Sequence, residues 1–434
     1  KYFLSILGSR EKLYALMREE LVEVKAQFAV PRRTEIQDSE FEVDIETLIA
    51  REEMVVMVTA GGYIKRVPLA TYRAQKRGGK GRSGIDLREE DATTELFVTS
   101  THTPVLFFSS TGQVYKLKVY RLPLSTPQAR GKALVNIFPL KAGETIETFM
   151  PLPEDEADWD KLNIFFATAQ GNVRRNDLSD FKSVQSNGKI AIRLDEGDKL
   201  VGVKTCNEED HVLLASREGK AMRFPVDAVR VFKSRTSDGV RGMKLTDKDT
   251  VVSISILHGI RATAEEREDY RKVASARRRA AGQEEADEGE AIDLSGITLS
   301  EEKIAEMSAA EEMILTVTEL GYGKRTSAFE YRVTGRGGSG VTGIGISKKN
   351  GNVVASFPVE SGDQIMLMTN KGTLIRTPVE DIRICGRTSQ GVITFRTEAK
   401  EQVISAVRIR GGLVVEDAAG EGEGPEAEGD AAAE

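Results

Sequence analysis

The sequence predicts an all-β fold, a ring of six small sheets, on three observations. A glycine followed four residues later by Arg or Lys recurs six times at a spacing near 50 residues: Gly62 with Arg66, Gly112 with Lys116, Gly171 with Arg175, Gly219 with Arg223, Gly321 with Arg325 and Gly372 with Arg376. Each glycine follows a short apolar run (Val55 to Val58, Val105 to Phe108, Ile164 to Phe166, Val212 to Leu214, Met313 to Val317, Ile365 to Met368), which reads as a strand ending in a hairpin turn. A second glycine stands 17 to 20 residues after the first, at Gly81, Gly131, Gly188, Gly239, Gly340 and Gly391, and introduces another β-type run such as Ile190 to Ile192 or Val392 to Phe395. One small sheet cannot bury both faces until neighbours stack on it, so a repeat of this length closes most economically into a ring of blades.

The elements follow in chain order. Residues 9–28 place Leu13, Leu16, Met17, Leu21, Val24 and Phe28 at helical spacing, with Ser9 as N-cap and Pro31 as the stop. This helix either packs on the ring or ends a helical domain lying upstream. Residues 31–415 form the ring, interrupted between the fourth and fifth repeats, where the glycine spacing jumps from about 50 to 102 residues. The excess, about 261–312, lacks the strand and glycine signals and reads as an insertion, either a helical hairpin or largely disordered. Residues 416–434, rich in Glu, Gly and Ala, cannot bury enough to order themselves and form an acidic flexible tail. The tail either competes for a basic surface as a nucleic-acid mimic or simply solubilises.

The net charge of −7 hides an asymmetry. The tail carries eight acids and no bases, and residues 263–312 carry fifteen acids against seven bases, so the remainder of the chain stands at about +9. A ring of one sign suggests a polyanionic partner. No run of 18 apolar residues and no signal peptide is present, so the expected setting is cytoplasmic, without a membrane partner. Cys206 and Cys385 sit singly in different repeats, and His102, His211 and His258 form no ligand spacing, which argues for a reducing compartment and no metal site. Neither a Ser/His/Asp, a Cys/His nor a paired-carboxylate arrangement is suggested by spacing, so no catalytic site is expected in this segment.

The densest basic loop runs Gln75, Lys76, Arg77, Gly78, Gly79, Lys80, Gly81, followed by Arg82. Its glycines allow close backbone approach to a phosphate, while Lys and Arg offer charge-assisted contacts to the oxygens. The matching loops of other repeats carry Arg130 and Lys132, Lys189, Arg235 and Arg241, Arg336, and Arg387. With the cations after each first glycine (Lys65 and Arg66, Lys116, Arg174 and Arg175, Arg223, Lys324 and Arg325, Arg376) they predict a basic rim. Gly338, Gly340 and Gly343 satisfy GxGxxG, but Gly340 holds the repeat register of Gly81 and Gly391, so turn geometry explains it. The loop at Gly78 to Gly81 lacks the Gly-Lys-Ser/Thr ending of a phosphate-binding P-loop.

At these residues the chain resembles the C-terminal DNA-wrapping domain of the bacterial DNA gyrase A family, type IIA topoisomerases whose signature is the box QRRGGKG. Here it reads QKRGGKG, with Lys76 in the second position; the exchange keeps the charge and loses a bidentate fork. The resemblance extends from LGSREKLYALMREEL, starting at Leu7, through YGKRT at Tyr322 to Thr326 and GRTSQGVI at Gly386 to Ile393. It implies a six-bladed, propeller-like β-pinwheel that wraps duplex DNA in a positive sense, so that the enzyme introduces negative supercoils. It makes the first 30 residues the end of the cleavage domain's coiled coil. The catalytic tyrosine then lies upstream, and neither Tyr2 nor Tyr14 has that role. The resemblance further implies a heterotetramer of two A and two B subunits, with ATP and Mg used through the cleavage core and the B subunit. Two other readings stand beside it: the C-terminal domain of topoisomerase IV, which typically has a degenerate box and fewer blades, and a protein-interaction propeller, which would not keep a cation at six equivalent positions.

Overall fold

The structure is a computed structural model. It describes residues 1–30, 45–59, 62–72, 82–83, 93–234, 237, 239–259, 262–282, 292–297, 299–398 and 400–410. The chain divides into two compact units, Lys1–Leu48 and Ile49–Glu434.

In the first unit a short helix, α1 (Tyr2–Leu7), precedes α2 (Arg10–Phe28). The Ser9 hydroxyl accepts from the Lys12 amide, as an N-cap should, and helical geometry ends at Ala29, ahead of Pro31. Of the side chains whose periodicity marked α2, Met17, Leu21, Val24 and Phe28 are exposed, and Leu13 and Leu16 are half-buried. The sequence reading missed α1.

In the second unit the described strands form six antiparallel sheets of four. The first holds Glu53–Thr59 at its centre, paired with Tyr63–Pro68 on one side and Thr93–Ser100 on the other. Its fourth strand, Lys132–Ala133, pairs with Tyr63 and Ile64 and comes from the second repeat. Every blade is completed in this way. Lys189–Ile190, Val240–Arg241, Val341–Thr342 and Val392–Ile393 each join the sheet of the preceding repeat, and Arg82–Ser83 of the first repeat joins the sixth sheet beside Leu374 and Thr373. The sequence located these runs, but their pairing partner is the neighbouring blade. The transfer of strands therefore closes on itself and makes the ring. The opposite edge of each sheet faces inward: Leu200–Cys206 adjoins Ile146–Pro151 and Val251–Leu257, and Val403–Ile409 adjoins Val353–Val359 and Thr93–Ser100.

Six cores lie between blades, not within them. Val105 and Phe107 pack with Met54, Val56 and Val58 of the first blade, whereas the intervening Leu106 and Phe108 pack with Ile164 and Phe166 of the third. Side chains alternate across a strand, so a central strand buried on both faces must be apolar throughout, which is why these strands read as continuous runs. Phe165 and Ala167 meet Val212 and Leu214. Leu213 meets Ile314, Leu315 meets Ile365 and Leu367, and Met366 and Met368 meet Val55 and Met57 to finish the circuit.

The insertion contains α3 (Ala264–Ala280) and α4 (Glu301–Ala309), the hairpin alternative. Thr263 and Glu266 form a capping box at the start of α3. Tyr270 and Ala274 of α3, with Ile304 and Met307 of α4, pack against Phe329 of the fifth repeat. Arg278 reaches Glu311 at 3.1 Å with both side chains nearly buried, and Glu311 also accepts from the Tyr270 and Ser327 hydroxyls. The tail 416–434 lies outside the described residues.

Candidate nucleic-acid interface

The repeated cations fall into three placements. Those four residues after each first glycine hold neighbouring repeats together. Beyond the two-residue outer strand, the backbone at Arg66, Arg175, Arg223 and Arg325 pairs in parallel with the next repeat, at Leu124, Val231, Val333 and Ile384. The side chains then donate to main-chain oxygens at the same junction. Arg66 Nε donates to Leu122 O at 2.8 Å, Arg325 Nε to Ile382 O at 2.6 Å, Arg223 Nη1 to Ala328 O at 2.8 Å and Arg376 Nη1 to Tyr72 O at 2.8 Å. Lys116 donates to Lys182 O and Glu156 and lies 4.5 Å from the centre of the buried Trp159 ring. Arg175 is 5% exposed and stands 3.9 Å from Glu208.

The residues one position earlier are deeper. Lys65, Arg174 and Lys324 are 1%, 0% and 0% exposed and reach into the following repeat's loop. Lys65 Nζ donates to the carbonyls of Thr126, Pro127 and Ala129; Lys324 Nζ to those of Gly386, Arg387 and Ser389; the Arg174 guanidinium to those of Ser234 and Ser237. Burial brings Lys65 down to about 8. The expected rim is therefore corrected at these positions. Lys65, Arg174, Arg175, Arg223, Lys324 and Arg376 are enclosed in blade junctions, while Arg66, Lys116 and Arg325 are half-buried there with their polar atoms engaged. Charge alone could not separate them from surface cations, because a buried guanidinium or ammonium satisfied by carbonyls has the same sequence signature as an exposed one.

The third placement is the perimeter. Lys132 and Arg241 are exposed on the outermost strands. Arg130, half-buried, lies 5.1 Å from the Tyr63 ring centre. Arg336 is exposed, with Nε on Ala228 O and Nη1 on Arg241 O. Lys189 turns back to Asp180 O and Ser183 O, and Arg387 to Thr342 O. Gln75, Lys76, Arg77, Gly78, Gly79, Lys80, Gly81 and Arg235 lie outside the described residues, as does the Arg82 side chain. The described ends of the box loop are anchored nonetheless: Tyr72 O accepts from Arg376, and Arg82 is paired with Leu374.

Two repeated features escaped the sequence reading. A Ser or Thr stands three residues before each first glycine; in five repeats (Thr59, Ser109, Thr168, Ser216, Thr369) its hydroxyl accepts the amide that follows the glycine. A carboxylate closes the turn leading into the inner strand of four repeats (Glu144, Asp198, Asp249, Glu401), as where Asp198 accepts from Gln170 N and Asp249 from Glu218 N, and Asn350 takes this place in the fifth. Both recur at near-constant positions in the repeat and so leave a signal in the sequence beside the glycines and bases.

His211, 8% exposed, accepts the Arg223 Nε hydrogen at Nδ1, 3.2 Å away. Burial, then the charges of Arg223 and Arg267, lower it to about 4, so it is the neutral acceptor at neutral pH. Among the described residues no three His, Cys, Asp or Glu side chains are grouped to hold a metal ion, and no helix is long and apolar enough to cross a membrane.

The profile of the family described as DNA gyrase C-terminal domain, beta-propeller, matches residues 53–100, 103–153, 162–207, 210–258, 312–360 and 363–410, one match per blade. The chain is 58% identical to the A protein of DNA gyrase from Rickettsia bellii (strain RML369-C), over 93% of this chain and 44% of that protein. It is 49% identical to the corresponding protein of Granulibacter bethesdensis (strain ATCC BAA-1260 / CGDNIH1), with the same coverage of each. It thus spans less than half the length of these curated relatives. Among solved structures, one titled "Structure of DNA gyrase A C-terminal domain" shares the fold at a TM-score of 0.64 and 24% identity, covering 83% of this chain and all of that one. The C-terminal domain of DNA topoisomerase IV shares it at 0.53 and 22%, covering 83% and 94%. Six blades, six matches and relatives of this identity lead to one conclusion: the chain belongs to the DNA gyrase C-terminal β-propeller family.

Proposed function

We propose that the ring wraps duplex DNA around its perimeter in a positive sense and serves a gyrase that introduces negative supercoils by ATP-dependent strand passage. One observation carries the reading: in every repeat the outermost strand, or the loop that leads into it, bears at least one cation, at Arg130 and Lys132, Lys189, Arg241, Arg336 and Arg387, with the box cations in the same stretch of the first repeat's sequence. Bending 20 to 30 base pairs costs on the order of 1 to 6 kcal/mol, so a long wrap needs contacts spread along an arc. Cations repeated once per blade meet that need without reading bases. Affinity should fall by about 10³ to 10⁵ between 50 and 200 mM salt if six to ten phosphates are neutralised.

In this reading the partners are duplex DNA, two B subunits and a second copy of the A protein, in a cytoplasmic heterotetramer. ATP and Mg act through the cleavage core and the B subunit, while the described residues contribute no step of cleavage. The test is ligation of nicked circular DNA in the presence of the chain. A positive linking-number shift after protein removal supports chiral wrapping. Salt-sensitive binding without a shift leaves a bending module of the topoisomerase IV kind.

A further inference from the structure

We infer that Lys65, Arg174 and Lys324 are positioning residues, which set the DNA-facing surface of the perimeter loops in the second, fourth and sixth repeats by drawing those loops' carbonyls inward. This rests on the wrapping reading. Each belongs to an odd-numbered repeat, three residues after its first glycine, and each lies under the loop of the even-numbered repeat that follows. The same register in the even-numbered repeats holds Tyr115, Met222 and Ile375, all buried. In the second and fourth repeats that side chain meets the next loop: a Cβ on Gly188 would come within 2.7 Å of the Tyr115 ring, and one on Gly338 within 3.5 Å of the Met222 methyl. Two described blade junctions thus pack their loop without a cation at this place, so blade packing does not demand one.

What the cation adds is electrostatic. A carbonyl oxygen is the negative end of the peptide dipole, and one facing outward would repel a phosphate. Lys65 gathers the oxygens of Thr126, Pro127 and Ala129, leaving the same loop to present Arg130 and exposed Lys132. Lys324 gathers those of Gly386, Arg387 and Ser389 beneath Arg387. Arg174 holds Ser234 and Ser237 on the approach to exposed Arg241. Buried charge held by carbonyls fixes loop geometry more strongly than neutral bonds do. Among the described loops, those of the second, fourth and sixth repeats are then held from beneath by charge, and those of the third and fifth are packed on apolar side chains.

The test is Lys65→Met in the full chain, titrated with a fluorescein-labelled duplex by anisotropy, alone and combined with Lys132→Ala in the same loop or Arg387→Ala in a remote one. The expected loss is about tenfold, the equivalent of one charge-assisted contact. Lys132→Ala should add little to it, Arg387→Ala should add its full effect, and Lys65→Arg should restore binding, since arginine fills this place in the third repeat. Full affinity in folded Lys65→Met, or a loss additive with Lys132→Ala, overturns the role. If Lys65→Met does not fold, Lys324→Met with Arg387→Ala as the same-loop partner decides in the same way. Failure of both to fold, while the arginine variants fold, also overturns it, because the cation would then serve the ring. A wild-type chain that neither binds duplex nor shifts linking number refutes the wrapping reading itself, and this role with it.

Discussion

Replacing Arg325 by Met separates a cation that holds the ring together from one that holds DNA. Its Nε donates to Ile382 O at 2.6 Å and its Nη2 to Glu380 O at 3.3 Å, across the junction of the fifth and sixth blades. Methionine keeps the alkyl stem and leaves both carbonyls without this donor. A hydrogen bond to a charged group contributes about 1.5 to 3 kcal/mol. The long second bond, at a half-exposed carbonyl that water can reach, adds little, so the expected loss is about 2 to 3 kcal/mol in all. The parallel backbone pairing, Arg325 N to Arg383 O and Cys385 N to Arg325 O, survives, so the ring should still form. Urea unfolding should show a lower midpoint, with duplex affinity and its salt slope unchanged. The control is exposed Arg241→Ala, for which stability should stay within about 0.5 kcal/mol while the slope of log affinity against log salt shrinks by about one. An Arg325→Met chain of unchanged stability, with weaker binding and a slope reduced by about one, would refute the junction assignment.

Other outcomes follow from the same geometry. Gly131→Ala should cost about 2 kcal/mol or more in thermal or urea unfolding, because φ is 90° and the new Cβ would lie 2.4 Å from Ile64 O. Gly143→Ala, at φ 79° with nothing within 4 Å, should cost only about 1 kcal/mol. His211 is lowered from 6.5 to about 4, so the unfolded chain binds the extra proton first as pH falls. Its contribution is therefore complete above about pH 6.5 and lost towards pH 4, by up to about 3 kcal/mol, and His211→Gln should flatten that part of the stability–pH curve. Arg278→Met should undock α3 by about 3 kcal/mol, seen as faster amide exchange across 264–280, because it leaves Glu311 buried without its cation.

The repeat was legible because glycine at a hairpin answers a backbone constraint, and such constraints act at fixed sequence spacing. All five described second glycines, Gly131, Gly188, Gly239, Gly340 and Gly391, have positive φ, and four of them press against a carbonyl of the preceding repeat. The apolar runs were legible for a similar reason, since both faces of each central strand are covered. The direction of the cations was not legible. Arg66 and Lys132 look alike in sequence, yet one turns into a junction and the other outward, and only the strand exchanged between repeats decides which. The exchange is a long-range pairing of two residues, Tyr63 with Ala133 and Ile64 with Lys132, too short to leave a periodic trace. In the insertion, helix propensity was visible, while its docking depends on Phe329 and Ser327, far along the chain.

The outermost strand of every sheet is contributed by the following repeat, so the unit copied by duplication and the unit that folds are out of step by one strand. A duplicated repeat therefore arrives already able to complete the blade before it and to be completed by the blade after it. No seam needs a specialised terminal piece, because the same two-residue graft joins the first repeat to the sixth as joins any other pair. The number of blades can then change in whole repeats while each joint keeps its chemistry. A truncation within a repeat has the opposite effect: it strips the outer strand from a blade whose own sequence is untouched, so damage appears one blade upstream of the cut.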